Sequence, residues 1–282
     1  MKPNVIVQNA ANFNSAMAEL AARNKWPLAV AMGRATSRLW LQAVRHTPPM
    51  GGAPGSENWK SQKELGVNAV ERDIGKIFRE IRGRINLSVD EQKHGKIVKR
   101  EGGRKFRCRP DRYMPEATLE TLSKIHNKYR NRVGRVVTNE FEEIDGLTVP
   151  HYYAAKTTLK AYIKKKVAKV GHGKSGWVKA WKSLSKVQLP SGGVFAPRPS
   201  GFPPAWITSK RGEGRGTVTG LTSPSGNIVV EFTNTVKGIG AHSGKIINQA
   251  MISAASNMQA EATKAAEAQM RKQFSAAGRK AV

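Results

Sequence analysis

The sequence predicts an α+β fold in which a small antiparallel sheet packs against long N- and C-terminal helices, with a large basic insertion. Three observations predict it. Apolar residues recur at spacings of three and four near both ends of the 282-residue chain, the periodicity of a helix with one buried face. Residues 218–221 and 228–232 flank Pro224-Ser225-Gly226-Asn227, a hairpin signal. The middle of the chain is rich in Lys, Arg and Gly and thin in apolar side chains, while the whole, at 39% hydrophobic, has enough for a core.

In chain order, residues 12–46 read as two helical pieces. Phe13, Met17 and Leu20 share a face, and Pro27 fits the first turn of the second piece, whose stripe is Leu28, Met32, Ala35, Leu39 and Ala43. Thr47-Pro48-Pro49 stops it, because proline cannot continue the ladder, and a Gly/Pro loop follows over 50–56. Residues 73–83 read as a short helix with Ile74, Ile77, Phe78 and Ile81 on one side. Ile85, Leu87 and Val89 alternate as a strand does, and 115–131 read as a helix with Leu119, Leu122 and Ile125 inward. This stretch has too little apolar content for a core of its own, so 52–150 is expected to be an insertion or extended arm. Residues 155–170 form an amphipathic helix with the stripe Leu159, Ile163, Val167 and Val170. Trp177 and Trp181 continue helical packing, and 190–204 is Pro/Gly/Ser-rich and irregular. The last helix runs from Ile247 to about residue 274, with apolar or small residues at 251, 254, 258, 262 and 265 and many alanines. The expected division is 1–51 as the N-terminal helical part of the core, 52–150 as the insertion, and 151–282 as the basic helix, hairpin and C-terminal helix that complete the core.

Charge is the dominant property. Forty-eight Lys and Arg against twenty Asp and Glu give +28. Residues 146–212 hold thirteen basic side chains and no acid, and 96–112 hold eight basic against Glu101 and Asp111. Such a chain repels its own copies unless something acidic screens it, and the usual partners are nucleic acid, an anionic membrane surface or acidic protein faces. No apolar run approaches the ~18 residues that span a bilayer, and the N-terminus lacks the apolar core of a secretion signal. The chain is therefore expected to be made and used inside a cell.

The patterns that carry chemistry are each weak. Residues 168–175, ending Gly171-His172-Gly173-Lys174-Ser175, fit a loose phosphate-loop pattern with alanine for the first glycine, but a polar, helix-periodic segment precedes them where a buried strand is needed. Glu140, Glu142, Glu143 and Asp145 are the dense acidic cluster a metal nuclease would want, yet they alternate faces poorly for one site. His46, His94, His126, His151, His172 and His242 show no metal-ligand spacing, Cys108 stands alone between two arginines, and the glycines of 212–216 read as a flexible loop. The chain is expected to be no enzyme and to need no cofactor or metal.

The binding pattern is stronger. Lys156, Lys160, Lys164, Lys165, Lys166 and Lys169, with Tyr152 and Tyr153 just upstream, could track a phosphate backbone without reading bases, and Arg104, Arg107 and Arg109 extend the basic block. The helix lacks Trp or Phe on its apolar stripe, which disfavours a membrane surface. A solvated helix face is the plain alternative.

Four short segments resemble the tail-completion and minor tail proteins of long-tailed bacteriophages. The first helix ends in Ala43-Val44-Arg45-His46-Thr47-Pro48-Pro49-Met50-Gly51, similar to that family's helix followed by Ala-Pro-Val-x-Thr-Gly. Gly173-Lys174-Ser175-Gly176-Trp177 resembles its Ser-Gly-Trp helix start, Pro204-Ala205-Trp206-Ile207 its Pro-x-Trp-Ile, and the segment ending Phe232-Thr233-Asn234 its strand ending in Thr-Asn. A closing alanine-rich helix also fits. The likeness covers 12–51 and 171–274. It departs in the hundred residues between them, where the family runs straight on to a first strand, and in Val236-Lys237-Gly238-Ile239-Gly240, which replaces the tyrosine and Glu-x-Gly that often follow the Asn. The resemblance implies a structural virion protein of the head-tail neck, assembled in the host cytoplasm as a ring of its own copies. Other neck, portal-side and tail-tube proteins would be its partners, and the passing DNA would be touched nonspecifically. The rival readings are a free nonspecific nucleic-acid-binding protein of genome packaging or organisation, and a metal nuclease using Glu142 and Glu143.

Overall fold

The chain is seen in a computed structural model that describes residues 27–49, 58–81, 112–129, 152–221, 228–237, 239 and 243–278, parts of 12–19, and strand backbone at 97–99, 105–107, 143–144 and 147–148. It is an α+β protein that divides into two compact units, Met1–Lys63 with Gly171–Val282, and Glu64–Val170.

In the first unit, helix α1 (Leu28–His46) starts after Pro27 and ends where Thr47 turns extended, ahead of two prolines. Arg45 and His46 lie in its last turn, where cations suit the helix dipole. Ala35, Leu39 and Ala43 of the expected stripe are buried, together with Trp40 and Val44, whereas Leu28 stays 51% exposed at the first turn. Helix α2 (Trp59–Ile77) belongs to this unit through Lys63 and to the second unit thereafter.

The second unit continues with β1 (Phe78–Glu80), β2 (Ile97–Lys99), β3 (Lys105–Arg107), β4 (Tyr113–Met114), α3 (Leu119–Lys128), β5 (Glu143–Ile144), β6 (Leu147–Thr148), β7 (Tyr152–Ala154) and α4 (Lys156–Val167). The helix expected over 73–83 gives way at Phe78 to a strand. Phe78 pairs with Tyr152 and Tyr113 with Tyr153, making a three-stranded parallel sheet in the order β1, β7, β4. Pairing to a partner more than seventy positions away has overridden the local helical period, which no window along the chain can detect. The strand expected at Ile85, Leu87 and Val89 lies outside the described residues. Ile74, Ile77, Phe78, Leu122, Tyr129, Ala154, Leu159 and Tyr162 form a buried cluster, where too little apolar content for a core was expected. Thr118 caps α3 by accepting from the Thr121 N–H at 3.2 Å. The expected insertion closes at residue 150, whereas this unit runs to Val170 and includes α4.

The first unit resumes with α5 (His172–Leu184), the short α6 (Ala205–Thr208), the antiparallel hairpin β8 (Gly214–Thr219) and β9 (Val229–Asn234), and α7 (Ser243–Gly278). Helix α5 packs on the hairpin and α7 on α1. The glycines of 212–216, expected to be a flexible loop, lead into and build the strand that lies against α5. Successive strand residues face opposite ways, so Gly214 and Gly216 share one face. A Cβ on Gly216 would sit 2.5 Å from the Ala180 carbonyl oxygen, and one on Gly214 would collide with that of Gly176. The glycines let strand and helix backbones touch. Ile246, Ala250, Ala254, Met258 and Ala262 form the buried stripe of α7.

Candidate functional site

The segments that carry the family resemblance meet at one place in the first unit. Lys174 is 0% exposed. Its Nζ donates to the carbonyls of Val44 at 2.6 Å and Arg45 at 3.2 Å, two of the groups that the last turn of α1 leaves without helical partners. Ser175 Oγ donates to the His172 carbonyl at 2.7 Å. Trp177 Nε1 donates to Thr47 Oγ1 at 2.7 Å, and that hydroxyl donates to the Ala43 carbonyl at 2.7 Å. Trp40 Nε1 in turn donates to the Trp177 carbonyl. Asn234 Nδ2 donates to the Gly173 carbonyl at 2.7 Å while its Oδ1 accepts from the Val236 N–H at 3.1 Å, so the strand-ending Asn ties β9 to the start of α5. Gly171, at φ 85°, adopts the left-handed conformation and lies against the Trp206 ring, which would stand 2.6 Å from a Cβ.

The loose phosphate-loop pattern therefore acquires a different meaning. A helix and a turn precede Lys174, and its ammonium is enclosed against backbone carbonyls rather than presented to a ligand. Burial strips the ammonium of water and lowers its pKa to about 7, with Arg45 adding repulsion. Nothing in the local sequence reveals this role, because the carbonyls it caps lie 130 positions away.

The predicted lysine face lies on α4. Lys156, Lys160 and Lys164 are exposed, and their i, i+4 spacing makes them one stripe along the helix. Lys165 is exposed but about half a turn round from Lys156. Lys166 is half-buried, with Nζ 5.1 Å above the Tyr162 ring, so it leaves the stripe and covers the core. Lys169 is exposed in the turn beyond the helix. The buried face is Leu159 with Tyr162, flanked by Ile163, while Val167 and Val170 are only half-buried, a correction to the expected stripe. Arg104 and Arg109 lie outside the described residues, as do Cys108 and Glu142. Arg107 is described only as strand backbone, paired with Ile97, and Glu143 likewise, paired with Thr148. Among the described residues no group of three His, Cys, Asp or Glu could hold a metal, and no helix is long and apolar enough to cross a membrane.

A second basic surface escapes the sequence reading. Arg34, Arg38 and Arg45 share a face of α1 beside its apolar stripe, and Arg198 and Lys264 join them across a cleft. The three helical arginines follow a readable spacing, but their companions come from distant segments. Comparison with protein-family models, with curated proteins and with solved structures finds no match to this chain.

Proposed function

We propose that this chain is a structural virion protein of the neck of a long-tailed bacteriophage, one subunit of a ring that completes or joins the tail to the DNA-filled head. One observation carries the reading. The segments bearing the resemblance, 12–51 and 171–274, fall within a single compact unit, Met1–Lys63 with Gly171–Val282. Most of the residues that intervene between those segments, Glu64–Val170, form a unit of their own, while the second departure, at 236–240, lies within the first unit. Thr47, Lys174, Trp177 and Asn234, drawn from three of the four matching segments, are joined to their neighbours by hydrogen bonds, and Trp206 of the remaining segment packs on Gly171. The likeness is thus a likeness of one packed unit, and the motifs serve to hold it together. The second unit carries the exposed lysines of α4, which suit nonspecific contact with DNA phosphates or with an acidic protein face.

The test is negative-stain electron microscopy of lysate from a phage lacking this gene. Full heads beside unjoined tails are expected, and normally joined particles would remove the joining role. The exposed Lys156, Lys160 and Lys164 also favour a second reading, a free nonspecific nucleic-acid binder. That reading expects tight DNA binding by the isolated chain that falls steeply between ~50 and 200 mM salt.

A further inference from the structure

The first unit holds a cleft of about 570 Å³ between α1 and α7, walled on a third side by residues 197–200. Arg34, Arg38 and Arg45 enter it from α1, Arg198 from the wall and Lys264 from α7, with Glu261 as the acid among its lining residues. Residues 34, 38, 41 and 45 recur at spacings of four, three and four, so the arginines form a second stripe on α1 beside the apolar one. Five cations and one carboxylate therefore line the cleft, with the Arg45 guanidinium also 5.6 Å from the Trp59 ring and that of Arg198 4.4 Å from the Phe202 ring.

Buried polar atoms on the wall add a second observation. Ser37 and Gln42 are each 2% exposed, and among the described residues neither Ser37 Oγ nor Gln42 Oε1 has a hydrogen-bond partner. Arg38 Nη2 pairs with Glu261, while Arg38 Nη1 is buried and makes no hydrogen bond. A buried donor left unmade costs about 1–3 kcal/mol, so Ser37 Oγ and Arg38 Nη1 keep unused donor capacity beside the cleft, whereas Gln42 Oε1 is an acceptor and offers an anion nothing. Burial lowers the pKa of Arg38 and neighbouring Arg34 adds repulsion, with Glu261 opposing both. An arriving anion would relieve that field.

We propose that this cleft binds carboxylate side chains of an acidic peptide segment on a partner protein. Guanidinium groups present a planar fork that matches a carboxylate, and Arg38 already holds one in Glu261. Leu41, Pro197 and Pro199 offer apolar wall to the stem of an Asp or Glu side chain. A nucleic-acid backbone presents its phosphates in a continuous row, about one charge per 3.4 Å of strand, and such a row would meet Glu261 inside the cleft. A partner other than a second copy fits the charge, because at +28 copies of this chain repel one another. This inference does not rest on the neck reading.

The experiment is fluorescence anisotropy with the full chain and two dye-labelled probes, a ten-residue glutamate peptide and a ten-nucleotide single-stranded DNA, at physiological salt. Arg34→Glu/Lys264→Glu is compared with Lys156→Glu/Lys160→Glu on α4. Both pairs are exposed and change the net charge equally, so bulk electrostatics affects them alike, and a melting curve accompanies each variant. The peptide is expected to bind at least tenfold more weakly to the cleft variant and within threefold of normal to the α4 variant. Glu261→Gln, which removes the competing carboxylate, is expected to tighten peptide binding severalfold, while Glu120→Gln on α3 is expected to change it little. Equal weakening by the two double variants, or no peptide binding by the unaltered chain, overturns the proposal. So does preferential binding of the oligonucleotide that is lost in the cleft variant, which would assign the cleft to nucleic acid.

Discussion

All six tryptophans of the chain, at positions 26, 40, 59, 177, 181 and 206, fall in the first unit, and all five tyrosines, at 113, 129, 152, 153 and 162, fall in the second. The partition follows the way each unit is held together. In the first, Trp40, Trp181 and Phe202 pack with ring centroids 4.8–5.6 Å apart, and indole N–H groups reach across the fold to a carbonyl and a hydroxyl. Its backbones approach closely at Gly176, Gly214 and Gly216. In the second, ring hydroxyls do the linking. His126 Nδ1 and Tyr162 Oη lie 2.9 Å apart, and the Tyr129 and Tyr152 hydroxyls 3.2 Å apart, inside a cluster closed by strands of two and three residues. The first unit depends on tight geometry between distant segments, and the second on a small aromatic core. Because tryptophan emission excited near 295 nm reports only the first unit, the two can be perturbed and read separately.

The sharpest way to break this contrast is at Gly176. A Cβ there would collide with Asn234 Oδ1 and stand 2.7 Å from the Glu213 carbonyl oxygen, with backbone on one side and a bonded side chain on the other. Gly176→Ala is expected to destabilise the first unit by more than about 4 kcal/mol, among the largest single-residue effects. Denaturant unfolding followed by tryptophan emission measures it, and an unchanged midpoint would show that the motif cluster is not the keystone of this unit.

The next effect comes from Lys174. Its folded pKa of about 7 lies below the 10.5 of an unburied lysine, so between those values the unfolded chain binds the extra proton. The contribution of Lys174 to the stability of the first unit is therefore least favourable below pH 7 and should rise with pH through the window from about 7 to about 10.5. The slope for one proton is about 1.4 kcal/mol per pH unit. Urea midpoints at pH 7, 8 and 9 should climb accordingly, and the part of the climb due to this residue should vanish in Lys174→Met. Equal slopes in the two proteins would mean that other groups set the pH dependence.

The smallest of the three sharpens the other side of the comparison. Tyr162→Phe keeps the ring in the second unit and removes its hydroxyl from His126, at a cost of about 1–2 kcal/mol. Hydrogen exchange of α3 and α4 amides should accelerate while the tryptophan transition stays in place. A shift in that transition would show that the units do not unfold independently.

Much of the first unit was legible because its signals are local. The helical period of α1 and α7 and the hairpin around 224–227 can be read within windows of ten to thirty residues, as can the Lys156, Lys160 and Lys164 stripe. What stayed hidden depends on distance along the chain. Phe78 looks like the continuation of a helix until its partner Tyr152 is known. Lys174 belongs to a phosphate-loop pattern too weak to accept, and the carbonyls it bonds cannot be named until the end of α1 is placed beside it. The alternating glycines at 214 and 216 carry a local sign, a period of two that fits a strand face, yet glycine-rich sequence fits a loop equally well. Of the basic cleft, Arg34, Arg38 and Arg45 follow a visible spacing, while Arg198 and Lys264 are recruited only by folding.

Interruption of one unit by the other also orders events during synthesis. Helix α1 is finished at His46, yet its capping lysine and the Thr47 hydroxyl's indole donor come 130 positions later. At about 5–20 residues per second, translation leaves Leu39, Trp40 and Val44 without their partners for on the order of ten seconds. Residues 64–170 are contiguous and complete within that interval. The inserted unit can therefore fold on the ribosome while the older helix waits, and a ribosome stalled before residue 172 would release a chain whose newest part is folded and whose oldest helix still exposes its apolar face.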